Sequence, residues 1–519
     1  MTPLHYLTLA IPLLPFLAAC WIILGFIIGW NSGERGERET ARVLVGAELL
    51  ALLLLLVLGG YSLLFEPLGL LSMGAWLKSG AVQADFGFLL DPLSLWLSIC
   101  FSLVILIATR FSINYLHREA GFQRYFIVLA LFHTAVLLVT LGADLLLVFV
   151  GWELAGISSW VLIAYRWQRD WAVNNANRAF VTNRIGDATF LLALFIALVF
   201  LGVSSWPMIF NAAATHDSML TGLLGFSLIL PALIKSAQFP FSAWISRALE
   251  GPTPSSAVFY GSVLSHLALY LLIRLAPLLE MVNLLQWFLL SIGLLTVCYA
   301  WLSAQAQTDI KTSLIYATLM QTGLIVNWIA LGWYDLASLH LTLHLFWRAH
   351  QFLNAPSFMQ QAQRPAQLLP RWLRRHTSLY LLAAQRCWLD PLTDWFLVRP
   401  TQQLAQEAQL FDEQVLNRLT GTPTQSALLS SLAQAQDFQQ GRHAYSSAVG
   451  VGTGVLGKLM QTVAEWLEWF ENKLVLGGSG ETLSGLANTL GEKAEIIESY
   501  LRKPRYLMVL IAATLVYIL

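Results

Sequence analysis

The groups best suited to moving a proton are two lysines, a glutamate and a pair of histidines, each set in apolar sequence. Lys235 stands in LPALIKSAQFPFSAWI, residues 230–245, an ammonium between two prolines in a stretch fit for a membrane or a core. Between Lys78 and Lys458 the only lysines are Lys235 and Lys311, although arginine is frequent. Arginine keeps its charge, whereas a desolvated lysine can lose its proton near neutral pH. A lysine at mid-membrane costs roughly 2.5–3.5 kcal/mol on insertion scales, so a partner or a task should offset it. Two readings follow for Lys235, a proton relay or a purely structural ion pair. Pro231 and Pro240 each remove a backbone donor and crowd the preceding turn. They predict a kinked or broken helix around Lys235, with freed carbonyls and water near the ammonium.

A counter-charge is at hand in ADLLLVFVGWELAGISSW, where Glu153 lies nine residues from Asp144, roughly 14 Å down a helix and near the bilayer midplane. In NRIGDATFLLAL, Arg184 and Asp187 are one turn apart and can pair with each other or with Glu153. A glutamate beside a lysine keeps both charged, and separating them lets each exchange a proton; the competing reading is a static bridge. In LHLTLHLFWRAHQFL, His340, His344 and Arg348 recur every four residues on one helical face. This stripe reads as a proton wire or as packed, hydrogen-bonded histidines. A metal is disfavoured, because no glutamate occupies the HExxH position and no cysteines are near. Lys311, in QTDIKTSLIYAT, sits near one end of its span, where snorkelling competes with a relay role. His266 is a lone histidine and a weaker candidate.

The elements that must position these groups are membrane helices. Of 519 residues 57% are hydrophobic and 12% charged, about half the ~25% charged usual in soluble domains. The fold class is therefore all-α, a polytopic membrane bundle of about twelve helices with one of them broken. The spans fall near 4–29, 44–66, 88–109, 124–142, 144–165, 178–202, 221–247, 256–276, 284–303, 312–331, 337–360 and 505–519. The first is read as a retained helix, not a signal peptide. Arg35, Arg38, Arg42, Arg110, Arg118, Arg124, Arg166 and Arg169 gather in loops on one side, together with Arg364, Arg371, Arg374 and Arg375. By the positive-inside rule that side is cytoplasmic and both termini lie on the opposite side. Three domains result: 1–361 in the membrane, 362–504 as a cytoplasmic amphipathic helical segment, and 505–519 as a last transmembrane helix. Within the segment, Leu459, Val463 and Leu467 lie on one helical stripe, which packs on the protein's own membrane part, lies at the interface or binds a soluble partner.

Thirty basic and thirty acidic residues cancel, so nothing points to nucleic acid. Four isolated cysteines support neither a disulfide framework nor a cysteine-based metal site, and no nucleotide-binding glycine motif is present. The chain reads as a transporter or energy-coupling subunit without catalytic residues, cofactor or metal of its own.

The stretches GWELAGISSWVLIAYR, NRIGDATFLLAL, IKSAQFPFSAWISRALEGPTPSSA, QTDIKTSLIYATLMQTGLI and HLTLHLFWRAH resemble, in order and spacing, the antiporter-like subunits of respiratory complex I and of multisubunit sodium/proton antiporters. The likeness is closest to the large L-type subunit and covers roughly residues 85–360. It implies that Glu153 and Lys235 are the family's membrane-centre pair and that Lys311, His340 and His344 lie on its central polar axis. Two departures are Tyr260, where a histidine is usual, and Arg348, where a lysine is usual. The tail is similar to the end of an L-type subunit, but the helices expected before it, with a further lysine, are missing. A shortened L-type chain with such a tail looks most like the DabB-type subunits of DAB inorganic-carbon accumulation complexes. That resemblance implies a DabA-like soluble zinc protein as partner, with H+ or Na+ flux making CO2 hydration to bicarbonate one-way. The alternatives are a subunit of a complex I-like, hydrogenase or Mrp-type assembly, and a non-conducting membrane anchor.

Overall fold

Long runs of Leu, Ile, Val and Ala without interior breakers become helices, because in hydrocarbon every backbone N–H and C=O must be satisfied within its own segment. The computed structural model describes residues 3–31, 33–79, 82–307, 309–361, 370–411 and 462–467. Helices α1 (Pro3–Ile28) and α2 (Gly33–Leu64) turn back on each other through Gly29 and Gly33, whose φ values of 86° and 68° suit glycine.

An antiparallel hairpin follows, β1 (Gly69–Ser79) and β2 (Val82–Leu90), paired from Gly69↔Leu90 to Ser79↔Val82. This corrects the sequence reading, which opens its third span at 88; the chain is still a strand there. Short apolar runs do not by themselves distinguish strand from helix. Helix α3 (Pro92–Tyr115) begins where the Asp91 carboxylate accepts the Ser94 N–H at 2.8 Å and Pro92 occupies the first turn.

Helices α4 (Phe122–Leu141), α5 (Leu145–Ile163) and α6 (Asp170–Phe195) come next, then the short α7 (Trp206–Thr215). Helix α8 (Ser218–Lys235) passes through Pro231 without interruption and stops at Lys235. The expected break therefore lies at residues 236–242, around Pro240, and not at Pro231; α9 (Ala243–Arg247) resumes beyond it. Helix α10 (Thr253–Ser256) widens into a π turn over Ala257–Gly261 and continues as α11 (Val263–Arg274). This stretch is wholly enclosed and packs against α3, α4, α8, α14 and α15, which makes it the hub of the bundle. Around it stand α12 (Ala276–Met281), α13 (Asn283–Ala304), α14 (Ile310–Ala330) and α15 (Tyr334–Gln361).

Among the described residues ten helices are long and apolar enough to cross a membrane. Helix α15, with its polar stripe, is long enough but is not one of the ten. The expected last span, 505–519, lies outside the described residues.

Residues 1–398 form one compact unit and 399–519 another. The described residues 370–398 stay with the first. Asp390 pairs with Arg247 at 2.9 Å, Asp394 with Arg178 at 2.7 Å, and Arg386 donates to Ser246 at 3.0 Å. In the second unit the described elements are a helix at Arg399–Phe411 and helical residues 462–467. Val463 and Leu467 are exposed there, and Leu459 lies outside the described residues.

Candidate functional site

Three helices bring the charged residues together. Gly186 on α6 lets α8 come close, since a Cβ there would meet the Pro231 Cα at 2.9 Å. Gly156 on α5 does the same for the charges, because its Cβ would lie 3.1 Å from Arg184 Nη2 and 3.5 Å from Lys235 Nζ. Neither glycine stands out in the sequence as part of a site. A glycine one turn from Glu153 and another next to Asp187 are the only signal they leave.

In the resulting cluster Arg184 is the bridge. Its guanidinium pairs with Glu153 on α5 and, at 2.8 Å, with Asp187 one turn along α6. Asp187 also accepts the Trp152 indole N–H at 2.9 Å. Lys235, 1% exposed, donates to the Trp152 carbonyl at 2.8 Å and lies 4.2 Å from the centre of that indole ring. No carboxylate oxygen comes within 4.0 Å of its ammonium among the described residues. Both pairings of Arg184 that the sequence left open occur at once, and the expected direct Glu153–Lys235 contact is replaced by an arginine that holds the glutamate. Two cations and two carboxylates leave the cluster formally neutral, which limits the cost of burying it.

The ammonium sits at the last residue of α8, where the helix's final carbonyls lose their partners. A backbone carbonyl and an aromatic face solvate it without fixing its proton. Arginine, always charged, cannot serve as the exchanging group here; lysine can.

A second cluster lies on α11 and α15. Arg348 Nε donates to His344 Nε2 at 2.9 Å, and His344 Nδ1 meets His266 Nε2 at 2.9 Å. His266 Nδ1 in turn reaches the Ser262 carbonyl. Arginine only donates and a carbonyl only accepts, so the hydrogens run one way: Arg348 to His344 to His266 to Ser262. Both rings are neutral in this order. His266, isolated in sequence, is thus the middle of the chain.

His340 stands outside it. Its ring centre is 6.0 Å from that of His344, and it accepts from the Trp328 indole at 3.2 Å and donates to Gln321 Oε1 at 3.0 Å. The stripe that sequence draws as one wire is two separate hydrogen-bonded groups.

Lys311 lies in the first turn of α14 and donates to Thr253 Oγ1 at 2.9 Å, reaching inward to the hub helix instead of snorkelling outward. Thr253 also contacts the Tyr115 hydroxyl at 3.0 Å. Tyr260 is buried in the π turn, edge-on to Trp244 with ring centres 5.8 Å apart, and its hydroxyl finds no hydrogen-bond partner. Among the described residues no three His, Cys, Asp or Glu side chains are placed to hold a metal ion.

With that geometry in view, similarity to known proteins narrows the reading. The family described as NADH:quinone oxidoreductase/Mrp antiporter, TM, matches residues 142–379, and that described as NADH-ubiquinone oxidoreductase (complex I), chain 5 N-terminus, matches 76–126. Every ion-path candidate named above lies within the matched residues 142–379.

Chloroplastic NAD(P)H-quinone oxidoreductase subunit 5 from Saccharum officinarum and from Oryza sativa are each 32% identical over 295 residues, 56% of this chain and 40% of theirs. The chain thus spans less than half the length of those relatives. An Mrp complex structure from Dietzia sp. shares the fold, with a TM-score of 0.59 at 20% identity, over 99% of this chain and 63% of that one.

Proposed function

We propose that this chain is an ion-translocating, antiporter-like subunit of a larger membrane assembly, and that Lys235 exchanges the translocated proton with the Glu153–Arg184–Asp187 group beside it. The observation that carries the proposal is the setting of Lys235: fully enclosed, at the end of a broken helix, bonded to a carbonyl and completing a formally neutral set of opposed charges. Such a lysine can alternate between charged and neutral forms at modest cost. Lys311 at the foot of the hub helix and the His344–His266 chain lie in the same bundle and continue the polar axis.

A finer reading follows the DAB-type resemblance. In it, cation flux drives one-way CO2 hydration on a soluble zinc partner docked through the tail, and the path conducts fully only with that partner bound. Two features favour it: no lysine occurs between Lys311 and Lys458, and Arg348 ends the histidine chain in a group that does not release its proton.

Liposomes carrying a pH-sensitive dye test both levels. Flux should fall by about 100-fold or more in Lys235→Ala and Glu153→Gln while insertion and assembly persist; full flux in both variants overturns the ion-path reading. Adding the co-purifying protein should raise wild-type flux, and its zinc content distinguishes a carbonic-anhydrase-like partner from redox or small antiporter subunits.

A further inference from the structure

Helices α2, α3 and α4 enclose a second ionisable pair. Glu48 and His133 are both fully buried, with His133 Nδ1 3.7 Å from Glu48 Oε1. Neither lies in the residues that the two families match. His133 Nε2 is 3.0 Å from Ser102 Oγ, while Glu48 Oε2 and His133 Nδ1 have no hydrogen-bond partner.

Thr109 makes the pocket indifferent to the form of Glu48. Its hydroxyl is 3.0 Å from Glu48 Oε1 and 2.9 Å from the Ile105 carbonyl, and it owns one hydrogen. Turned to Glu48, it stabilises a carboxylate; turned to Ile105, it accepts from a carboxylic acid. Among the described residues no cation pairs with Glu48 other than His133 itself. Helix α1 contains no Asp, Glu, Lys or Arg, and Arg110, beside Thr109, is exposed. Tyr125 of α4 is bonded to Ser112 at 3.0 Å, Tyr115 of α3 to Thr253, and Glu153 of α5 to Arg184.

The charge count then fixes the occupancy. With one proton the pair is neutral overall, as acid plus imidazole or as carboxylate plus imidazolium. With none or two it leaves an uncompensated buried charge. Moving the proton from Glu48 Oε1 to His133 Nδ1 changes no net charge, and closing the gap by roughly 0.7 Å brings the two atoms into ordinary hydrogen-bonding range.

A cavity of about 650 Å³ opens among Glu37, Arg42, Val45, Gly46, Arg110 and Ile113. Val45 is one turn from Glu48 on α2, and Ile113 one turn from Thr109 on α3. Charged walls keep such a vestibule wet.

We propose that Glu48 and His133 form a proton-binding site that exchanges one proton with the Arg-rich face through this vestibule, separate from the Lys235 cluster. Infrared spectra of the full chain in nanodiscs test it. In His133→Gln the proton has only Glu48 to occupy, so that variant should show a protonated-carboxyl stretch that the Glu48→Gln/His133→Gln double variant lacks. Identical spectra from the two overturn the site. Gly46 faces open space where a Cβ would go, so Gly46→Phe in the His133→Gln background should fill the vestibule without a clash. It should slow deuterium uptake by that carboxyl about tenfold. An unchanged uptake rate overturns the route.

Discussion

Around Lys235 two cations face two carboxylates, whereas the chain from Arg348 through His344 and His266 holds one buried guanidinium and no carboxylate. The first arrangement balances charge by opposition, so a proton can leave Lys235 and the rest still hold together. The second keeps its rings neutral and lets a single cation donate into them. Arg274 is a third case, a buried guanidinium that pairs with a single carboxylate, Asp91 at the start of α3.

The comparison breaks first at Arg184. Arg184→Gln leaves Glu153 and Asp187 near a single cation, so the cluster carries a net negative charge. Removing one partner from a buried ion network costs about 3–5 kcal/mol. Thermal unfolding in detergent should show that loss; recovery in Arg184→Gln/Glu153→Gln would attribute it to charge and not to packing.

A smaller effect is expected at the histidines. His344→Leu removes a neutral ring, cuts the chain and leaves the Arg348 Nε donor buried without its acceptor. Proton flux in liposomes should drop about tenfold, equivalent to ~1.4 kcal/mol, with insertion unchanged. Flux at the wild-type level would mean that the chain is packing alone.

The Arg274–Asp91 pair is read on stability instead of flux, and pH should switch it. Burial pushes the Asp91 carboxyl up, but the Arg274 guanidinium beside it outweighs this and holds it below its ordinary value. A depressed carboxylate contributes stability that is present above its unfolded pKa and is lost as pH falls through its folded one. Asp91→Asn should therefore cost about 1.5–3 kcal/mol at neutral pH. The difference from wild type should shrink steadily below about pH 4, as read by unfolding at both pH values.

The candidate site was legible in the sequence to the extent that charge is conspicuous in apolar surroundings. Lys235, Glu153, Arg184 and Asp187 could be picked out as residues whose burial needs explaining. Their pairing could not, because Arg184 reaches either carboxylate from its place on α6, and only the approach permitted at Gly156 and Gly186 brings all four groups together. His266 lies 78 residues from its partner His344, so no spacing rule connects them. The hairpin at Gly69–Leu90 escaped because its apolar runs are as short as those at a helix end. Glu48 drew no notice, being one acidic residue at the head of a long leucine run.

What the sequence determined alone is the class of structure: runs of apolar residues about 20 long have no stable form in hydrocarbon except helices. The tertiary structure decided which charges meet. Pairing depends on distances near 3 Å between atoms on different helices, and those distances follow from where glycines let the helices close and where a proline ends one. Neither quantity is written in the order of residues along any single helix.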